Sequence, residues 1–193
     1  MYRFTLLIFV ASVSAYVIID SKCPEVTNVD NFDFKSYGNG VWYEVARYPD
    51  DLVKTGKCGA LEYKQEGDVT KSRYTYVDNN KLMAIEGTAR LAPDAGTTGK
   101  LIQKLHFGEN GALVESDLSV LTIDYDNFFI DYFCQYDEVK KNSRESVWVG
   151  TRSKTLSEET KAAIDKFINE SKFLNASKLE WPSFSDEDCR VDA

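Results

Sequence analysis

Two groups of side chains in this 193-residue sequence have the types to do chemistry on their own account: a single histidine, His106, and a carboxyl, Asp131, set in a strongly apolar run. A Ser-His-Asp or Cys-His apparatus would have to use His106. The apolar–polar alternation of Leu105-His106-Phe107 turns it to the outside of a strand, so the expectation is a surface histidine, not a catalyst or a haem ligand. Asp124 and Asp126 sit in a short turn that lacks a full calcium ligand set, and are expected to form the turn; no metal site follows. The acidic clusters Asp50-Asp51 and Asp186-Glu187-Asp188 read as a solvated loop and tail. Asp131 is different, because a carboxylate turned into an apolar interior must find a partner or take up a proton. A lysine or arginine is the expected partner, with the N–H groups of a bound ligand as the alternative. The chain therefore reads as a protein without an enzyme's equipment.

The elements that must position these residues are strands. Runs rich in Val, Ile, Tyr, Phe and Thr recur at short intervals between clusters of Gly, Asn and Asp, which predicts strands at about 41–48, 58–65, 69–77, 82–91, 100–107, 112–120, 128–136 and 145–152. Short turns such as Asp78-Asn79-Asn80-Lys81 make consecutive strands antiparallel neighbours, giving an all-β, eight-stranded up-and-down barrel. The longer link from Asp50 to Lys57 exceeds a tight hairpin and is placed at one mouth as a lid. One C-terminal α-helix is predicted on the barrel's outside, with Ser157 as N-cap, Glu158 and Glu159 in the first turn, and Ile164, Phe167 and Ile168 as its apolar stripe.

Alternation within the strands selects the inner face. The third predicted strand turns Ser72, Tyr74 and Tyr76 inward, the fourth Ile85, Gly87 and Ala89, and the fifth Leu101, Gln103, Leu105 and Phe107. The sixth contributes Ala112, Val114, Ser116, Leu118 and Val120. Hydrophobicity leaves the seventh ambiguous; if Cys134 leaves the wall to meet a cysteine of the N-terminal segment, Phe129, Asp131, Phe133 and Gln135 face in. Ser146, Trp148, Gly150 and Arg152 share the inner face of the eighth, leaving Val147 and Val149 under the helix. A barrel of eight strands lined this way holds one small hydrophobic ligand. The candidate contacts are Tyr74, Tyr76, Ile85, Leu105, Phe107, Val114, Ser116, Phe133, Gln135, Ser146 and Trp148.

At the N-terminus, Arg3, the apolar run Phe4 to Val10 and the small residues Val13 and Ala15 make residues 1–15 a signal peptide, with residues 16–193 as one domain. The protein is expected outside the cell. There Cys23, Cys58, Cys134 and Cys189, which show no zinc-type spacing, are expected to form two disulfides, with three connectivities open. Bridged cysteines leave no pocket thiol for isomerase-type chemistry. Export also makes Asn169-Glu170-Ser171 and Asn175-Ala176-Ser177 admissible N-glycosylation sites. A net charge of −8 argues against nucleic acid and anionic membranes as partners, and homo-oligomerisation is left open.

Gly40-Val41-Trp42, Ile123-Asp124-Tyr125 and Arg152 resemble, in order and spacing, the three signature motifs of the lipocalins, with Ile123 where the family pattern has threonine and Thr122 one place earlier. The resemblance implies that Trp42 closes the barrel floor and that Arg152 stacks over it. Cys23-Pro24-Glu25-Val26, Tyr43-Glu44-Val45-Ala46-Arg47-Tyr48-Pro49, Gly56-Lys57-Cys58-Gly59, Ile85-Glu86-Gly87-Thr88-Ala89 and Val147-Trp148-Val149 resemble the insect bilin-binding proteins of the insecticyanin type. That likeness implies pairing of Cys23 with Cys134 and of Cys58 with Cys189. It also implies a non-covalently bound bilin such as biliverdin, a pigment giving blue or green colour in haemolymph or cuticle. Its rings would lie on Tyr74, Tyr76, Phe107, Phe133 and Trp148, and its propionates near Arg144, Lys54 or Arg90 at the mouth. The family pattern has asparagine and histidine where this chain has Tyr74 and Tyr76, so the alternative is another hydrophobe: a carotenoid, retinoid, fatty acid or odorant.

Overall fold

A computed structural model describes residues 17–50, 53, 55–66, 69–107 and 112–192, with Phe107 and Ala112 described by backbone alone. The expected signal peptide and Lys54 lie outside these residues. Their elements are β1 (Val17–Ile19), α1 (Phe34–Tyr37), β2 (Gly40–Arg47), β3 (Lys57–Glu66), β4 (Val69–Asp78), β5 (Lys81–Leu91), β6 (Lys100–Phe107), β7 (Ala112–Asp124), β8 (Phe128–Asp137), β9 (Asn142–Thr151) and α2 (Glu158–Glu170), followed by a 3-10 turn at Ala176–Lys178. Strands β2 to β9 are the eight expected from the sequence. The largest extension is β7, which runs on to Asp124.

Each of β2 to β9 pairs antiparallel with its neighbour, and β9 pairs with both β8 and β2, which closes the sheet. Closure leaves no open edge within the barrel. The β4–β5 hairpin turns on Asn79 and Asn80, both at positive φ, the mirror-image turn that matches strand twist and that asparagine tolerates. The short β1 adds outside the closed barrel as an extra neighbour of β9, at Val17↔Glu145 to Ile19↔Ser143.

Helix α2 begins where Ser157 accepts a hydrogen bond from the Thr160 amide at 3.1 Å, with Glu158 and Glu159 in the first turn. Its buried Ile164 and Ile168 pack on Val147, Val149, Ile130 and Tyr132, the outward residues of β8 and β9. Full burial of each isoleucine contributes about 1.5–3 kcal/mol.

Two disulfides join the chain ends to the wall: Cys23–Cys134, from the N-terminal segment to β8, and Cys58–Cys189, from β3 to the C-terminal tail. The N-terminal segment crosses one end of the barrel. Val29 exchanges backbone hydrogen bonds with Val120 and Gly99, and Phe32 bonds to Thr97. It then delivers α1, capped by Asp33, onto the barrel axis.

Candidate ligand-binding cavity

One end of the barrel is sealed by aromatic rings. Tyr37, fully buried on α1, lies 5.2 Å from Tyr63 and 5.5 Å from Phe129, ring centre to ring centre, and Trp42 meets Phe129 edge-on at 5.1 Å. The Trp42 indole N–H donates to the Tyr37 carbonyl at 2.9 Å. Arg152 covers the outer face of Trp42 with its guanidinium carbon 3.3 Å from the ring centre, and donates to the carbonyls of Ser36, Asn39, Val41 and Tyr125. A guanidinium's planar donor fork is suited to this double task. The floor anticipated from the sequence is thus formed by Trp42 and Arg152, with Tyr37, Tyr63 and Phe129 added.

Above the floor lies a cavity of about 710 Å³, counting the part open to solvent. Its aromatic wall includes Trp42, Tyr63, Tyr74, Phe129 and Trp148, its aliphatic wall Leu61, Ile85, Leu105 and Leu118, and Gln103 adds an amide. Of the residues selected from sequence, Tyr74, Ile85, Leu105 and Trp148 line this space directly. Phe133 and Ser146, paired across β8 and β9, stand next along the same face towards the mouth. Tyr76 lies 5.6 Å from Tyr74, ring centre to ring centre and tilted to it, beside Gly56; Ser116 is half-buried, and Val114 and Gln135 are exposed near the rim. The Phe107 side chain lies outside the description.

Three expectations change. Asp50 is not solvated: it is 1% exposed, lines the cavity and accepts a hydrogen bond from the Val53 amide at 3.0 Å. Arg90 cannot serve the mouth, because its strand parity puts it on the outer wall, next to Leu91 at the closed end. Asp131 is inward as predicted and 3% exposed, but its partner is a phenol and not a basic residue. Arg144 is on the inner-face parity of β9 at the mouth end, its guanidinium 5.6 Å from the Phe133 ring centre.

Two β-bulges explain residues that strict alternation misses. In β2 Glu44 shares the inward parity of Trp42, and the register slip between Glu44 and Ala46 turns Arg47 inward as well, where alternation would have put Ala46. The pair forms a buried ion pair at 2.6 Å, and Arg47 also donates to the carbonyls of Val53 and Gly56, tying those two residues to β2. Burial raises the Glu44 carboxyl, partly offset by Arg47. Burial and the nearby Glu44 carboxylate push the Tyr74 phenol well above its usual range. That hydroxyl packs over Gly59, where a Cβ would come within 2.5 Å of it. In β7 a second slip between Val120 and Thr122 brings Ile123 onto the inner face against Phe129. An apolar residue therefore suits the position where the family pattern has threonine.

Among the described residues no group of three or more His, Cys, Asp and Glu side chains could hold a metal ion. A closed antiparallel barrel with a sealed aromatic floor and an apolar interior open at one end defines a small-molecule-binding calyx. The chain matches the family model "Lipocalin / cytosolic fatty-acid binding protein family" over residues 39–179, and it belongs to that family. It is 42% identical to the bilin-binding protein of Pieris brassicae, over 96% of each chain. Insecticyanin-B of Manduca sexta is 32% identical, over 97% of this chain and 91% of that one. The solved structure of insecticyanin from the same hornworm superposes with a TM-score of 0.83 at 32% identity, covering 92% of this chain and 94% of that chain.

Proposed function

We propose that this protein is a secreted carrier that binds a bilin non-covalently in the barrel and does no chemistry on it. The enclosed cavity carries the reading: an aromatic and aliphatic wall, closed at the floor, buries a large flat chromophore, and the mouth leaves its propionates near water. Likeness along nearly the whole chain to proteins named for bilin binding supports the choice of ligand class. Among the described residues Arg144, with its guanidinium near the Phe133 ring at the mouth end, is the basic side chain best placed for a propionate. All four cysteines are bridged and His106 is on the outer wall, so neither supplies a nucleophile or base to the cavity. The disulfides, the apolar leader-like N-terminus and two exposed sequon asparagines, Asn169 and Asn175, are consistent with export.

The test is to purify the protein natively, record its visible spectrum and identify the co-purified ligand by mass spectrometry. A blue or blue-green protein carrying a tetrapyrrole is expected. A colourless protein that does not take up added biliverdin overturns the reading, and a carotenoid, retinoid, fatty acid or odorant in the cavity would replace it.

A further inference from the structure

The polar groups of the cavity are lopsided. Glu44, Asp50 and Asp131 line it, and among the described residues no lysine, arginine or histidine does. Glu44 is answered by its ion pair with Arg47, and Asp50 by the Val53 amide. Asp131 lies deepest. Its Oδ2 accepts from the Tyr37 hydroxyl at 2.8 Å, and the Tyr63 hydroxyl stands 3.0 Å behind Tyr37 as the donor to it. Its Oδ1 is buried without a hydrogen-bond partner. An apolar calyx for a plain hydrocarbon needs no such group, and a buried carboxyl with a bare oxygen destabilises the fold unless a ligand meets it.

Building on the bilin reading, we propose that Asp131 is the counter-ion of the bound pigment, its Oδ1 accepting from the pyrrole N–H groups and holding the bilin in its protonated, cationic form. Desolvation raises this carboxyl to about 8, against the lowering pull of Tyr37, so the empty protein holds the required proton at neutral pH. On binding, the Oδ1–H bond breaks and its electron pair stays on oxygen. The proton forms an N–H bond on the imine-type nitrogen of the tetrapyrrole. No proton is exchanged with bulk water, and the products are a carboxylate and a cation in contact. Tyr37 and Tyr63 then stabilise the carboxylate. Burial holds both phenols above their ordinary range, so neither competes for the proton. The remaining neighbours on the strands flanking Asp131 are Val120 of β7 and Trp148 of β9. Glu44, Asp50 and Tyr74 also face the cavity, and Arg47 is engaged with Glu44 and the loop. The same arrangement disfavours a ligand whose carboxylate must sit deep, as a fatty acid inserted head-first would.

The experiment titrates the full-length protein with biliverdin, following tryptophan quenching for binding and the long-wavelength absorption band for protonation. At neutral pH the bound pigment is expected to show the red-shifted, intensified band that free biliverdin shows only on acidification. Asp131→Asn should bind about tenfold to a hundredfold more weakly, the loss expected for one charge-assisted contact, and should leave the bound pigment with the neutral spectrum. Tyr37→Phe, which removes only the donor to Oδ2, should weaken the cationic band at neutral pH; it carries the test if Asp131→Asn does not fold. A neutral spectrum in the wild-type complex, or a cationic band unchanged in either variant, overturns the counter-ion assignment and leaves the carrier reading intact. Absence of quenching by biliverdin overturns the carrier reading itself.

Discussion

Between about pH 5 and about pH 7 the unliganded protein should lose stability on account of Asp131, and the size of the loss follows from its environment. In the native state the carboxyl is raised from 3.8 to about 8, chiefly by burial, so it stays protonated across this window. In the unfolded chain the same group is ionised above its ordinary value. The native state therefore binds one more proton than the unfolded state, and stability falls by about 1.4 kcal/mol per pH unit between the two pKa values. Over two units the contribution is about 2.6 kcal/mol, a large share of a typical domain's stability. Asp131→Asn removes the titration and keeps the side chain's shape. Urea unfolding followed by tryptophan fluorescence, at both pH values, should show the wild type losing about 2.5 kcal/mol more than the variant. Glu44, whose carboxyl is also raised, is present in both proteins and cancels in the comparison. Equal pH dependence would mean that Asp131 is already ionised in the native barrel, and the desolvation argument would fail.

Arg152→Ala removes the cation–π contact with Trp42 and the donors to four carbonyls, so urea melts should show a loss of about 3 kcal/mol; Arg152→Lys should recover less than half of it, because an ammonium cannot span that fork. Replacing Cys58 and Cys189 by serine opens a loop with a sequence separation of 131, and equilibrium unfolding should show destabilisation approaching about 4–5 kcal/mol, with amide exchange rising first in the tail that Asp188 ties to Lys57. Gly59→Ala places a methyl 2.5 Å from the Tyr74 hydroxyl and must displace that ring, so biliverdin affinity should fall about tenfold; an unchanged Kd would remove the Tyr74 phenol from the ligand's wall.

How much of this was legible in the sequence depends on whether a residue's face follows from simple alternation. Where it does, as in β4 to β6, Tyr74, Ile85 and Leu105 lie on the wall that period-two reading assigned them. Helix α2 was equally readable, since its cap and its stripe are both local signals. Arg47 was not, because a one-residue slip in β2 beyond Glu44 reverses parity partway along the strand, and nothing in Glu44-Val45-Ala46-Arg47 announces it. Tyr37 was hidden for another reason: it reaches the cavity floor from a four-residue helix in an otherwise extended segment, too short to leave a periodic pattern. Asp50 read as solvent-facing because two adjacent acids usually are, whereas here the loop folds back and offers it the Val53 amide.

These misses share a consequence for function. The alternating positions build a wall that any flat hydrophobe would fit, and the residues that escape alternation bring polarity into it. Tyr37 supplies the donor that makes an inward Asp131 tolerable, while the β2 bulge supplies Arg47 to neutralise Glu44 and hold the mouth loop. The polarity is also directional. Proton-bearing acid stands near the floor and Arg144 near the rim, so a ligand with an N–H-rich centre and anionic tails is oriented tails outward. A fatty acid inserted head-first meets the reverse of what it needs, an acid at the bottom and its cation at the top. On the counter-ion proposal, orientation and selection follow from the same few groups, and the Asp131→Asn protein should lose both together: weaker binding of biliverdin, and a smaller margin in its favour over a long-chain fatty acid competing for the same cavity.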